Sequence, residues 1–262
     1  EPSPREIRIF EDIANNILKM VKTTASNTCV RSKVVLGGSY AKSTWLKGEC
    51  DIDIFIKFPA SISMEELETM GVTVGKDALR DYQPRLRYSE HPYVEAFVDG
   101  VRVNVVACYQ VKKGEWKSSA DRSPYHTELI VNKFDENMKR EARVLKLFMK
   151  SIGTYGAEVK VQGFSGYVCE VLILKYRKFI SLLETASSFK DRDVVSLDAV
   201  DKDLSKKHKS SLIILDPVDN RRNLGAAISS QNVGKFILAA RTFLNNPQIS
   251  IFKKQSVEVV EK

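Results

Sequence analysis

Three histidines and four cysteines in 262 residues leave little from which to build a zinc centre or a disulfide framework. Cys29, Cys50, Cys108 and Cys169 are scattered, mostly beside apolar or strand-like residues, with no CxxC pair. They read as reduced structural thiols, and the expected location is the cytoplasm. No apolar run is long enough to span a bilayer, and the opening residues, which lack an initial methionine, are no signal peptide. A membrane is therefore not among the expected partners, and no protein partner is implied. Internal repeats and low-complexity stretches are missing too. Acidic residues are the minority: Lys plus Arg number 41 against 33 Asp plus Glu, a net charge of +8. The positive charge is spread over Lys33, Lys42 and Lys47, Lys112-Lys113, Lys206-Lys207-His208-Lys209 and Arg221-Arg222. Such a balance describes either a solvated basic surface or a protein that meets a polyanion. With 43% apolar residues, the chain can bury the core of one large domain or of two modest ones.

What is present is concentrated between Gly37 and Phe58, GGSYAKSTWLKGECDIDIFIKF. Ile52, Ile54, Ile56 and Phe58 alternate with Asp51, Asp53, Phe55 and Lys57, the period of a strand with one buried face. Asp51 and Asp53 then project from the same face, roughly 7 Å apart at their roots. Aspartate is a poor strand former, and adjacent like charges repel. Cations should lie between them, and a pair of Mg²⁺ ions would suit an all-oxygen site. Alone, Gly37-Gly38-Ser39 is an ordinary turn and Asp-x-Asp the solvated face of an edge strand. In order they mean more. A strand (33–36), a glycine turn and a helix over 39–46 precede the acidic strand, so backbone N–H groups can hold phosphates beside a metal site.

Ser3-Pro4-Arg5-Glu6 is a capping-box signature with proline at the first helical position, predicting a helix to about Thr24. Helical spacing predicts 63–80, weakened between Gly71 and Gly75. A short strand over 86–88 precedes two strands, 93–98 and 101–108, joined by Asp99-Gly100, a favoured hairpin turn. Asn104 is polar amid an otherwise apolar strand, where it could meet Asp51 and Asp53 as a third ligand. A loop over 121–126, with Ser123-Pro124 opening a helix, leads to one helix over 131–150, closed by Gly153-Thr154-Tyr155-Gly156. Long helices over 165–183 and 229–245 follow, separated by a charged segment (190–210) and a short strand (212–215).

In this order the motifs resemble the archaeal (class I) CCA-adding enzymes, tRNA nucleotidyltransferases of the polymerase-β-like superfamily. The resemblance runs through GGSYAKSTWLKG, DIDIF, SEHPYVEAFVDGVRVNVVACY, DRSPYHTE, LKLFMKSIGTYGAEVKVQGFSGYVCEVLI and DPVDNRRNLGAAIS, from about residue 5 to 250. It implies an α+β fold. Residues 1–155 would form a catalytic domain, a mixed sheet flanked by helices. Residues 156–262 would form a mainly helical central domain closing over the nucleotide and reading its base. It also implies addition of CMP and AMP, from CTP and ATP, to the 3′ end of the tRNA acceptor, with two Mg²⁺ ions. By motif position, Asp51 and Asp53 would hold the metals. Gly38, Ser39 and Lys42 would meet the triphosphate, together with His126, Lys146 and Tyr155. The family often has arginine at Lys42, so a forked contact becomes a point charge. Arg222 would read the base through its donors, and Glu90 and His91 would lie near the base and primer end.

Two departures matter. The family has aspartate where this chain has Asn104, and an amide offers a carbonyl oxygen but neither negative charge nor proton acceptance. Loss of metal affinity and of activity is expected, with fold and nucleotide binding kept. An inactivating substitution explains this more simply than a naturally inactive relative, because the other site residues are present. The body and tail domains that grip tRNA in the family are expected to be missing, leaving tRNA binding weak and salt-dependent. Alternatives remain: a non-catalytic nucleotide- or RNA-binding homologue, or a relative that makes poly(A) or 2′–5′ oligoadenylate.

Overall fold

The computed structural model describes residues 1–199 and 208–252. The basic block Lys206-Lys207-His208-Lys209 therefore begins outside the described residues. The chain forms two compact units, Glu1–Lys133 and Phe134–Lys262. This division falls ahead of the 155/156 position read from the sequence.

In the first unit α1 (Pro4–Thr28) starts at Ser3, whose Oγ accepts from the Glu6 N–H at 3.2 Å while Glu6 accepts from the Ser3 N–H at 3.3 Å. Its buried stripe is Phe10, Ile13, Ala14, Ile17, Val21 and Ala25. β1 (Lys33–Gly37), β2 (Asp51–Pro59), β3 (Arg85–Tyr88), β4 (Pro92–Val98) and β5 (Val101–Gln110) make one mixed sheet in the order β1-β2-β5-β4-β3. β2 and β5 run parallel; the other neighbours are antiparallel. Asp99 and Gly100, at φ 50° and 81°, form the predicted turn between β4 and β5.

One face of this sheet is apolar. Ile52, Ile54, Ile56 and Phe58 join Val94, Ala96, Val103 and Val105 in a buried core with residues of α1 and of α3 (Met64–Ala78). The glycines read as a weak point are where α3 meets the sheet. A Cβ on Gly71 would overlap the Ala107 methyl, and one on Gly75 would stand 2.7 Å from Val94. Helix and sheet approach so closely that only hydrogen fits, which repays the low helix propensity of glycine.

Two further expectations change in this unit. The helix over 39–46 is a single turn, α2 (Gly38–Ala41), and Ser43 at φ 54° carries the chain out of it. The loop over 121–126 is instead helical: α4 runs Arg122–Lys133. Buried Asp121 organises its start, accepting from the N–H groups of Tyr109, Lys117 and Ser118 and from the Ser118 hydroxyl.

The second unit is mainly helical: α5 (Glu136–Ser151), α6 (Gly166–Tyr176), α7 (Phe179–Ala186) and α8 (Ser230–Asn245), with a parallel pair β6 (Asp193–Val195) and β7 (Leu212–Ile214). Phe148 lies at its centre, edge-on to Phe179 and Phe243 at 5.2 and 5.9 Å. The helix expected over 131–150 is broken at Phe134-Asp135, because Asp135 caps a new helix by accepting from the Met138 N–H at 2.8 Å. The helix expected over 165–183 is two helices. Arg177 turns left-handed at φ 69°, and the Phe179 N–H donates to Glu141 at 2.7 Å. The sheet with flanking helices followed by a helical unit is the fold class expected from the sequence.

Candidate active site

The second face of the sheet is charged, and strand register arranges it in rows. Asp53 on β2 lies beside Asn104 on β5, which lies beside Glu95 on β4. One row away, Asp51 lies beside Arg102 and Arg102 beside Phe97. Asp51, Asp53 and Asn104 thus share one face, as the alternation in the sequence predicts. Gly37 pairs with Asp53 in the antiparallel register of β1 and β2. This sets the Gly-Gly-Ser turn on the acidic strand. Gly38, at φ +66°, passes so close that a Cβ there would overlap Asp53 Oδ2, so glycine is required twice over.

Each acidic group on this face has a donor. Asn104 Nδ2 donates to Asp53 Oδ1 at 2.9 Å. Arg102 donates from Nε to Asp51 Oδ1 at 2.9 Å and from Nη2 to Oδ2. Arg87 holds Glu95 Oε1 through Nε at 2.9 Å and Nη2 at 2.8 Å. Burial pushes the Asp53 carboxyl up and Asp51 adds to this; the Asn104 hydrogen bond, Lys42 and Arg102 oppose it. Asp53 keeps some accessible surface, yet enough protein crowds it for desolvation to prevail. Burial likewise raises the Cys50 thiol to about 12, so this neighbour of Asp51 stays protonated and unreactive.

Among the described residues no three His, Cys, Asp or Glu side chains gather as a metal cluster. The candidate set here is two carboxylates and one amide oxygen. Asn104 Oδ1 is buried and has no hydrogen-bond partner. An acceptor short of a donor, beside two carboxylates, fits a hard divalent cation. Arg102 must give way for Asp51 to take part.

Lys42 ends α2, is buried, and acts electrostatically on Asp53. Ser39 lies inside the single turn, too short for a helix dipole of consequence, so an anion there would rely on individual N–H groups. His126 is buried on α4, a helix in contact with α2 and β1. Glu90 and His91 are not brought to the aspartates. His91 Nδ1 lies 3.0 Å from Glu68 of α3, the helix on the apolar face, and Glu90 is exposed in the preceding turn.

Within the second unit the remaining residues converge on the first turn of α6. Lys146 is 1% exposed and pairs with Glu170, 0% exposed, at 2.8 Å. A Cβ on Gly166 would stand 3.0 Å from the Tyr155 hydroxyl and 3.7 Å from Lys146 Nζ. The next residue, Tyr167, donates to buried Asp216 at 3.2 Å, and Asp216 Oδ2 lies 3.4 Å from Arg222 Nη1. Backbone bonds close the DPVDNRR turn: the Asp216 N–H reaches the Arg222 carbonyl at 3.0 Å, and the Arg222 N–H reaches that of Asp219 at 2.8 Å. Asp216 therefore both folds the turn and aims Arg222.

Reading by motif missed Arg102, Glu95, Arg87, Glu170 and Asp216. For Arg102 a signal existed, since its alternation with Asn104 puts both on one face. The others needed the register or the tertiary contact.

An acidic strand beneath a Gly-Gly-Ser turn, in a mixed sheet followed by a helical unit, is the arrangement of the nucleotidyltransferase fold. Residues 15–133 match the nucleotidyltransferase domain family, and residues 140–253 match the family described as tRNA nucleotidyltransferase, second domain. The CCA-adding enzyme of Methanocaldococcus jannaschii is 38% identical over 272 residues, covering 100% of this chain and 61% of that protein. That of Pyrobaculum islandicum is 37% identical over 263 residues, covering 99% and 62%. The chain thus carries a nucleotidyltransferase domain followed by the second domain of the tRNA nucleotidyltransferases, is similar along its length to archaeal CCA-adding enzymes, and spans 61% and 62% of the length of these two relatives. A Cid1 poly(U) polymerase structure with Mg and 3′-dATP bound shares the fold at a TM-score of 0.73 and 14% identity, covering 97% of this chain and 95% of that one.

Proposed function

We propose that this chain transfers CMP and AMP from CTP and ATP to the 3′ end of tRNA without a template, releasing pyrophosphate. The observation that carries the reading is the placement of Asp51 and Asp53 on one sheet face under the Gly37-Gly38-Ser39 turn. The relatives named CCA-adding enzymes support the choice of reaction.

Asp51, Asp53 and the oxygen of Asn104 would hold Mg²⁺, two ions by family resemblance. When bound, Mg²⁺ supplies a lowered pKa for the attacking 3′-hydroxyl and charge neutralisation for the triphosphate. The N–H groups at Gly38 and Ser39 donate to phosphate oxygens, and Lys42 adds positive charge. His126, Lys146 and Tyr155 are assigned to the triphosphate by motif position. For Lys146, already paired with Glu170, that role is electrostatic support. Arg222, held by Asp216, presents donors to the Watson–Crick edge of cytosine or adenine. Glu90 and His91 are assigned by motif position to the neighbourhood of the base and the primer end.

Asn104 cannot accept a proton, so transfer is slowed by about 10²–10⁴-fold, the worth of a positioned general base. The test is incorporation of labelled CTP and ATP into tRNA lacking its 3′ CCA. Asn104→Asp should raise the rate by about that factor, with C added before A and extension stopping after the third nucleotide. No gain, or extension by A alone, would count against the proposal. A second reading, a nucleotide-binding homologue without catalysis, draws support from Asn104 and from the Arg102–Asp51 pair. Mg²⁺-dependent CTP binding without incorporation by Asn104→Asp would favour it.

A further inference from the structure

Arg102 and Asp51 are register partners on parallel strands, so their contact is built into the sheet. One guanidinium takes both oxygens of the carboxylate. Such a fork is more specific and stronger than a neutral hydrogen bond. Empty carboxylate pairs bind divalent cations avidly in part because they repel each other until a cation arrives. Here that repulsion is partly offset, since Asp51 faces a guanidinium and Asp53 an amide N–H. The Arg102 and Asp51 side chains are 47% and 38% exposed, so rotation of Arg102 into solvent can free Asp51 without disturbing the core.

We propose that Arg102 is a tethered cation that competes with divalent metal for Asp51 and so holds this site in a low-affinity form. It is a positioning residue, acting through Asp51. The inference rests on the reading of Asp51 and Asp53 as metal ligands and adds a second cause of weak metal binding to Asn104. Restoring the third carboxylate alone would leave Arg102 in place, so Asn104→Asp would recover only part of the metal affinity.

The probe is Mn²⁺, titrated against the unaltered chain, Arg102→Gln, Asn104→Asp and the double variant, with free Mn²⁺ followed by electron paramagnetic resonance. Arg102→Gln should tighten binding about five- to tenfold, the worth of a partly exposed charged pair plus the relief of its repulsion of the metal. The same change should tighten binding again in the Asn104→Asp background. Without metal, Arg102→Gln should melt below the unaltered chain, and saturating Mn²⁺ should close that gap. A merely structural arginine would lower the melting temperature with and without metal alike. Arg102→Lys, which keeps the charge and loses the fork, should fall between the two and covers a poorly folding Arg102→Gln. Equal Mn²⁺ affinity for the unaltered chain, Arg102→Lys and Arg102→Gln overturns the inference alone. Failure of all the chains, the double variant included, to bind Mn²⁺ overturns the metal reading and this inference with it.

Discussion

A single residue type decides much of the chemistry at the acidic face. Aspartate at position 104 would add a third negative charge beside Asp53; asparagine instead donates to it at 2.9 Å and leaves its own oxygen buried without a partner. The amide quiets the apo site but removes the proton acceptor. At Lys146 the charge is instead met inside the second unit by Glu170 at 2.8 Å. Removing one partner strands the other in a medium that solvates it poorly. Lys146→Met should therefore cost roughly 3–5 kcal/mol in urea unfolding, and adding Glu170→Gln should restore part of it. A loss below about 1 kcal/mol, in the range of exposed pairs, would show that the pair is not sealed from water. The motif could mark Lys146 as a candidate; it could not show that its head group meets a glutamate from the next helix.

At the level of elements, periodicity carried the reading far. The capping box of α1, the alternation of β2 and the Asp99-Gly100 turn each rest on neighbours within a few residues, and all appear in the structure. The misses come where a distant contact outweighs local preference. Gly71 and Gly75 look like breaks in α3 until Ala107 and Val94 are found against them. Gly71→Ala should then destabilise the chain by about 1–3 kcal/mol through overpacking, although in an open helix it would stabilise by about 1 kcal/mol. Chemical unfolding gives the sign directly, and a stabilised variant would mean that α3 can move off the sheet at little cost. The breaks at Phe134-Asp135 and Arg177-Lys178 are of the same kind. Apolar spacing runs straight through both, and the Asp135 cap and the Glu141 bond at Phe179 end one helix and begin another.

Over the molecule as a whole, no described helix is long and apolar enough to cross a membrane, and the net charge is +8. If the basic side chains meet a tRNA acceptor stem through phosphates, binding is driven by counterion release. The affinity for an acceptor-stem hairpin should then fall by more than about tenfold between roughly 50 and 200 mM salt, as a few phosphate contacts require. Filter binding across that range checks it, and a flat profile would exclude the phosphate-based mode. By itself the amino-acid order determined the fold class, the acidic strand, the glycine turn above it and the resemblance to CCA-adding enzymes, because each is carried by local spacing or by an ordered series of motifs. Only the tertiary structure decided which groups neutralise one another: Arg102 on Asp51, Arg87 on Glu95, Glu170 on Lys146, Asp216 beside Arg222. Arg102 meets Asp51 and Lys146 meets Glu170 across long stretches of chain, through strand register and helix packing. Arg87–Glu95 and Asp216–Arg222 depend on how a strand pair and a turn fold, and the order of residues alone does not record which charges will touch.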